Sequence, residues 1–197
     1  MNPMQKQDAS SRNTVRPGRP RSVATQEAIL DASLRLTERI GYPQLTIEGI
    51  AAEAGVGKQT VYRWWPSKAA VVLEAFARDA RAVVKIRVTG DLEADLAKFL
   101  VAVYRRLGGP RGVVFRSLLS AALVDADFAT LLYREYLRSR VDDLKIVLTG
   151  DDEERDVPNQ IIEMIYGAIW YRLATNHPLT PAAARRIAAA AVRVLTA

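Results

Sequence analysis

The 197-residue sequence contains no cysteine, which excludes disulfide staples, thiolate metal sites and thiol redox chemistry within the chain. Its one histidine, His177, precedes Pro178 in a turn. No motif pairs it with a nucleophile, so no catalytic role is expected of it. Long apolar runs are missing as well. The longest stretch free of Asp, Glu, Lys and Arg is Leu173 to Ala184, interrupted by Asn176, His177, Pro178 and Pro181, and a bilayer-crossing helix needs about 20 apolar residues. The first residues are polar where a secretory signal would be apolar, so a cytoplasmic location without membrane attachment is expected. The acidic run Asp151, Asp152, Glu153, Glu154 lacks the alternating spacing and glycine of a calcium loop. It reads as a solvated linker, and neither a metal nor a cofactor is expected.

What is present is a globular composition, 49% hydrophobic and 25% charged. The 28 Lys and Arg against 22 Asp and Glu give a net charge of +6, which favours acidic partners such as nucleic acid. The excess sits at the front of the chain. Residues 1–70 hold ten basic and six acidic side chains, and residues 1–22 hold five basic groups against Asp8 alone. That stretch, rich in Ser, Asn, Pro and Gly, cannot form a core, so residues 1–22 are expected to be a mobile basic arm. Within it, Arg16-Pro17-Gly18-Arg19-Pro20-Arg21 resembles the Gly-Arg-Pro core of an AT-hook, which lies in a narrow A·T minor groove. Arg19 and Arg21 are its candidate contacts. The alternative is a disordered, merely soluble tail, although an extended basic arm beside a DNA-reading module can strengthen binding without reading sequence.

Beyond the arm every strong periodicity is helical. Ala28, Ile29, Ala32, Leu36 and Ile40 give one buried face from Ala24 to Ile40, which Gly41 and Pro43 end. Thr46 can N-cap a short helix in which Ile47, Ile50, Ala51 and Ala54 fall at i, i+3, i+4 and i+7. Gly55 suits a left-handed turn, and Gly57 can cap a segment Lys58 to Trp65. Ser67 can cap a helix from Lys68 to about Ile86. Stripes at Leu96, Phe99, Leu100, Val103 and Leu107, at Val114, Leu118 and Ala121, and at Leu137, Val141, Leu144 and Leu148 predict three more, the last starting near Asp127. Ile161 to Ala174 is the penultimate helix, and Thr180 followed by Pro181 opens the last. The one strand-like alternation, Lys85 to Thr89, has no partner. An all-α fold of about nine helices follows.

The informative stretch is Thr46 to Trp65. Small Ala51 lets two helices approach, Gly55 makes the turn, and Val56 and Val61 plug the angle between them, which describes a helix-turn-helix. Lys58, Gln59 and Thr60 then open the second helix, where side chains of a recognition helix reach base edges in the major groove. Thr46, Tyr62, Arg63 and Lys68 are placed for contacts near the phosphates. A cation at Lys68 opposes the dipole of its own helix, and an external anion would explain it. Trp65 is expected in the core.

These residues carry a resemblance. Ala28-Ile29-Leu30-Asp31-Ala32, Gly41, Leu45-Thr46, Ile50-Ala51, Ala54-Gly55-Val56, Thr60-Val61-Tyr62 and the aromatic, Pro66, Ser67, Lys68 run are similar to the TetR family of bacterial transcriptional regulators, over about Val23 to Phe76. The resemblance implies a three-helix DNA-binding domain over 23–67 and a helical effector-binding and dimerisation domain over 68–197. It further implies a homodimer on a pseudo-palindromic operator, most simply a repressor released by a small molecule, and no enzyme. A nonspecific architectural DNA binder is the alternative, since net charge and a basic arm would suit it equally.

Candidate residues follow for the other two sites. Phe76, Phe99, Val103, Tyr104, Phe115, Leu119, Tyr136, Met164, Trp170 and Tyr171 are candidates for an apolar effector cavity, with plain core as the alternative. The penultimate helix is apolar almost all round, so it must be covered on more than one side. Ile161, Ile165 and Ile169, with Ile187, Ala191 and Val194 of the last helix, are expected to form a four-helix interface between two copies.

Overall fold

The computed structural model describes residues 19–81, 88–150, 152 and 154–196, with the side chains of residues 19–22 and 81 outside that description. Residues 1–18 of the expected arm, Lys85 to Arg87 of the alternation, Asp151 and Glu153 therefore lie outside the described residues, as do the side chains of Arg19 and Arg21. Among the described residues there are helices and turns and no strand.

The first helix, α1 (Arg19–Ile40), starts five residues before the expected Ala24, so the last four residues of the expected arm have helical backbone. α2 (Ile47–Glu53) is capped by Thr46, whose hydroxyl accepts from the Gly49 N–H. Gly55 has φ +69°, a left-handed conformation that costs glycine nothing and a side chain more. α3 (Lys58–Tyr62) is shorter than expected and ends three residues before Trp65. In α4 (Lys68–Arg81) the Ser67 hydroxyl accepts from the Ala70 N–H at 3.2 Å, a working N-cap.

α5 (Leu92–Leu107) and α6 (Pro110–Val124) meet at a close turn. A Cβ on Gly112 would stand 1.9 Å from the Leu107 carbonyl oxygen, so only glycine lets α6 begin against the end of α5. α7 (Ala126–Leu132), a π turn (Tyr133–Leu137) and α8 (Arg138–Thr149) run on as one long helix. Counting it once gives nine helical bodies among the described residues. α9 (Asn159–Ala174) and α10 (Pro181–Leu195) follow, the latter capped by the Thr180 hydroxyl.

One contiguous apolar cluster runs from Ile29 and Leu30 in α1 to Ala188 and Ala191 in α10. α4 is the shared element: its residues Val71, Val72, Leu73 and Phe76 are buried, and it packs on α1 and on α6. The N-terminal and C-terminal halves are thereby joined through one core. Charged groups reinforce the junction. Asp79 of α4 accepts from Arg106 of α5 at 2.6 Å and from Arg111 of α6 at 2.9 Å, and Arg111 also pairs with Glu38 of α1.

Candidate nucleic-acid interface and effector cavity

The helix-turn-helix is assembled by a buried side and presented by an exposed one. Ile47, Ile50, Ala51 and Val61 are 0 to 6% exposed and pack α2 and α3 on the core. The turn is closed by backbone bonds from the Val56 N–H to the Ala51 carbonyl at 2.9 Å and from the Gly55 N–H to the Ala52 carbonyl at 3.1 Å. Glu53 braces α2 against α1, accepting from Arg39 at 3.0 Å with Arg35 at 3.6 Å. The hydrogen bond from Arg39, with both arginine charges, holds its pKa below the usual carboxylate value. With Val61 anchored, Lys58 and Gln59 are exposed and Thr60 is half-buried, so the start of α3 is open to solvent. Lys58 has only a loose, exposed pairing with Glu48 at 3.7 Å, which is weak enough for a competing anion to displace.

Thr46 before α2, and Tyr62 and Arg63 at the far end of α3, are also exposed. Lys68 is different. Its ammonium donates to the carbonyls of Tyr42 at 3.1 Å and Leu45 at 2.9 Å and lies 4.6 Å from the Tyr42 ring centroid. Internal carbonyls therefore account for a cation in the first turn of α4 without the external anion expected from sequence. These bonds engage two of its three donors. Trp65 is 3% exposed, as expected for core, and its indole N–H donates to Glu74 at 2.6 Å.

In the C-terminal half a cavity of about 30 Å³ lies among α4, α5, α6, the π turn and α9, room for only one or two waters. It brings together Phe99, Val103, Phe115, Tyr136 and Trp170 of the sequence candidates. Phe76 stands behind this wall, stacked on Phe115 at 5.6 Å and edge-on to Tyr136 at 5.1 Å. Tyr104 is fully buried core away from the lining. Leu119 and Tyr171 instead line an outer groove between α6, α7 and α9, which Trp170 borders too. Tyr171 is 63% exposed and Met164 38%, so both are corrected from the cavity to the surface. Their positions on α9 point them to its outer side.

Most of the expected interface residues need the opposite correction, from the surface to the core. Ile161, Ile165, Ile169 and Ala191 are 0 to 3% exposed within the single chain and so belong to its own core. Ile187 is half-buried, and Val194 remains open at 58%. α9 carries two apolar stripes, and periodicity alone does not say which faces inward. The outer one holds Met164, Gly167, Trp170 and Tyr171.

Arg106, Arg140 and Tyr166 also border the cavity and are not among the residues expected there from sequence. The signal was there for Arg106: it stands three residues after Val103 and seven after Phe99, on the same face of α5. Tyr166 donates its hydroxyl to the Arg140 carbonyl at 2.7 Å, tying α9 to α8, and burial pushes its pKa well up.

Comparison with known proteins agrees with this geometry. Residues 29–75 match the family model described as bacterial regulatory proteins, tetR family. Residues 86–191 match that of the tetracyclin repressor-like C-terminal domain. The uncharacterized HTH-type transcriptional regulator YdeS of Bacillus subtilis (strain 168) is 30% identical over 161 residues, 79% of this chain and 81% of that protein. The DNA-binding transcriptional repressor TetR of Mycobacteroides abscessus is 24% identical over 164 residues, 79% of this chain and 85% of its own length. Among solved structures, the TetR family transcription regulator SCO0332 superposes with a TM-score of 0.70 at 29% identity, covering 87% of this chain and 97% of the other. Two family models that together take in both halves of the chain, and a relative at 30% identity over most of its length, lead to one conclusion: the protein belongs to the TetR family and is a DNA-binding, helix-turn-helix transcriptional regulator.

Proposed function

We propose that the protein is a homodimeric repressor whose two α3 helices read successive major grooves of a pseudo-palindromic operator and release it when a small molecule enters the C-terminal domain. The observation that carries this reading is the open start of α3, with Lys58 and Gln59 exposed directly before the fully buried Val61. Lys58, Gln59 and Thr60 address base edges, and Thr46, Tyr62, Arg63 and the remaining donor of Lys68 address the backbone. Arg19 and Arg21, with the arm before them, add minor-groove or purely electrostatic attraction. Residues 23–67 do the reading and residues 68–197 the sensing and pairing.

The outer side of α9 and α10 supports the dimer, since Met164, Tyr171 and Val194 are 38 to 63% exposed there and apolar faces of that kind ask for cover. A ligand that prefers one spacing of the two reading heads shifts the pair between binding and non-binding arrangements. Selection from random duplex DNA with the intact protein, followed by footprinting at physiological salt, tests the reading. A two-fold symmetric site is the expected result. Salt-sensitive binding without an enriched motif would instead make the protein an architectural binder.

A further inference from the structure

The chemistry of the cavity wall is one-sided. Its surface is almost wholly apolar, with Phe99, Val103, Phe115, Ile169 and Trp170 in the wall, and the polar residues that border it are Arg106, Arg140, Tyr136 and Tyr166. No Asp, Glu, Asn or Gln lines it. Arginine only donates; the Tyr166 hydroxyl is already committed to the Arg140 carbonyl, which leaves the protonated Tyr136 phenol as the other donor. Burial pushes the Tyr136 pKa up, with Arg106 and Arg140 pulling the other way.

Arg106 is the least satisfied group. One of its terminal nitrogens reaches Asp79 at 2.6 Å, but Asp79 also accepts from Arg111 through both oxygens, at 2.9 and 3.0 Å. The Arg106 Nε is buried and has no acceptor. A buried charged donor left without a partner is costly. Arg140 has its own carboxylate, Asp143 at 2.9 Å. The cavity therefore has aromatic walls with one under-satisfied cationic donor, Arg106, at its border, and what would complement it is an acceptor with negative charge on an apolar body.

We infer that the cavity takes an amphipathic carboxylate, its apolar body among the aromatic rings and its carboxylate on Arg106, and that this draws Arg106 away from Asp79. The inference rests on the reading of the C-terminal half as a sensing domain and names its ligand chemistry. Entry has a place to start: Trp170 borders the cavity, the groove between α6, α7 and α9, and a second groove lined by Tyr133, Val141 and Gly167, and it is 38% exposed. Its movement would widen the small space toward the surface. The consequence runs through Asp79. That carboxylate holds Arg111, and Arg111 holds Glu38 on α1, so a change at Arg106 reaches the helix on which the reading head is mounted.

The test is calorimetric titration of the full chain with 2-naphthoate and with 2-naphthalenemethanol, its uncharged counterpart. The acid is expected to bind at least tenfold more tightly. Arg106→Met should erase that preference and Arg106→Lys should restore part of it, which separates loss of the charge from loss of the fold. Val103→Trp, which fills the cavity, should abolish binding of both compounds. Equal binding of acid and alcohol, binding of neither, or an acid preference that survives Arg106→Met would each overturn the inference. A protein that selects an operator but ignores naphthoate leaves the regulator reading standing and sinks this one. A protein that binds naphthoate through Arg106 but selects no operator does the reverse.

Discussion

Arg111 grips Asp79 through two parallel hydrogen bonds, Nε to Oδ2 at 2.9 Å and Nη2 to Oδ1 at 3.0 Å, and so ties α6 to α4. Burial alone would raise the Asp79 pKa, but the hydrogen bonds from Arg111 and Arg106 outweigh it and leave the group below its usual value. A depressed carboxylate contributes stability that is complete above its unfolded value near pH ~4 and is lost as pH falls through the folded value. Asp79→Asn is expected to cost about 2 to 3 kcal/mol at neutral pH, because two guanidinium groups lose a charged acceptor. Urea melts from pH 7 down to pH 3 should show the gap between variant and parent closing with acid. A gap that widens with acid would contradict the assignment.

Replacing Lys58, Gln59 and Thr60 together with Ala should remove the preference for the operator, a loss of roughly a thousandfold or more. The helical circular dichroism and the melting transition should not move, because the anchor of α3 is Val61, fully buried. Retained specificity would place base reading elsewhere.

Lys68→Met tests the internal role of that cation. Its hydrogen bonds to the Tyr42 and Leu45 carbonyls hold the connection between α1 and α2, and losing them should lower stability by about 2 kcal/mol. A variant that melts like the parent, yet binds DNA more weakly, would show that the phosphate contact is its main task.

Gly112→Ala adds one methyl group and is expected to be severe. The new carbon would overlap the Leu107 carbonyl oxygen, 1.9 Å away, and backbone must shift to relieve it, at a cost of about 3 kcal/mol. Thermal denaturation measures it directly. A neutral result would mean that α6 can start elsewhere.

Much of this was legible from sequence because it is local. Thr46, Ser67 and Thr180 cap the helices that their positions imply, and Gly55 takes the left-handed turn that its place between two short helices requires. The start of α3 was legible for the same reason. What escaped depends on which of two equivalent faces turns inward. Ile165 and Trp170 both belong to apolar stripes of α9, yet Ile165 is 0% exposed and Trp170 38%, and only the packing of α9 against its neighbours decides between them. Arg106 escaped because its sign of charge hid its position on an apolar face, and the π turn because nothing in Tyr133 to Leu137 distinguishes it from ordinary helix.

That turn has a bearing on how one long helix serves one core. Phe128, Leu132, Tyr136, Arg140, Leu144 and Leu148 recur every four residues and are all buried or half-buried. In a regular α-helix a step of four overshoots a full turn by about 40°, so five steps accumulate about 200° and the two ends would look in opposite directions. The wider π turn advances less angle per residue and takes back part of that error midway. Tyr133 to Leu137 thus works as a phase correction, and the angular register of Leu144 and Leu148 on the core is set at the wall of the cavity, not at their own end of the helix.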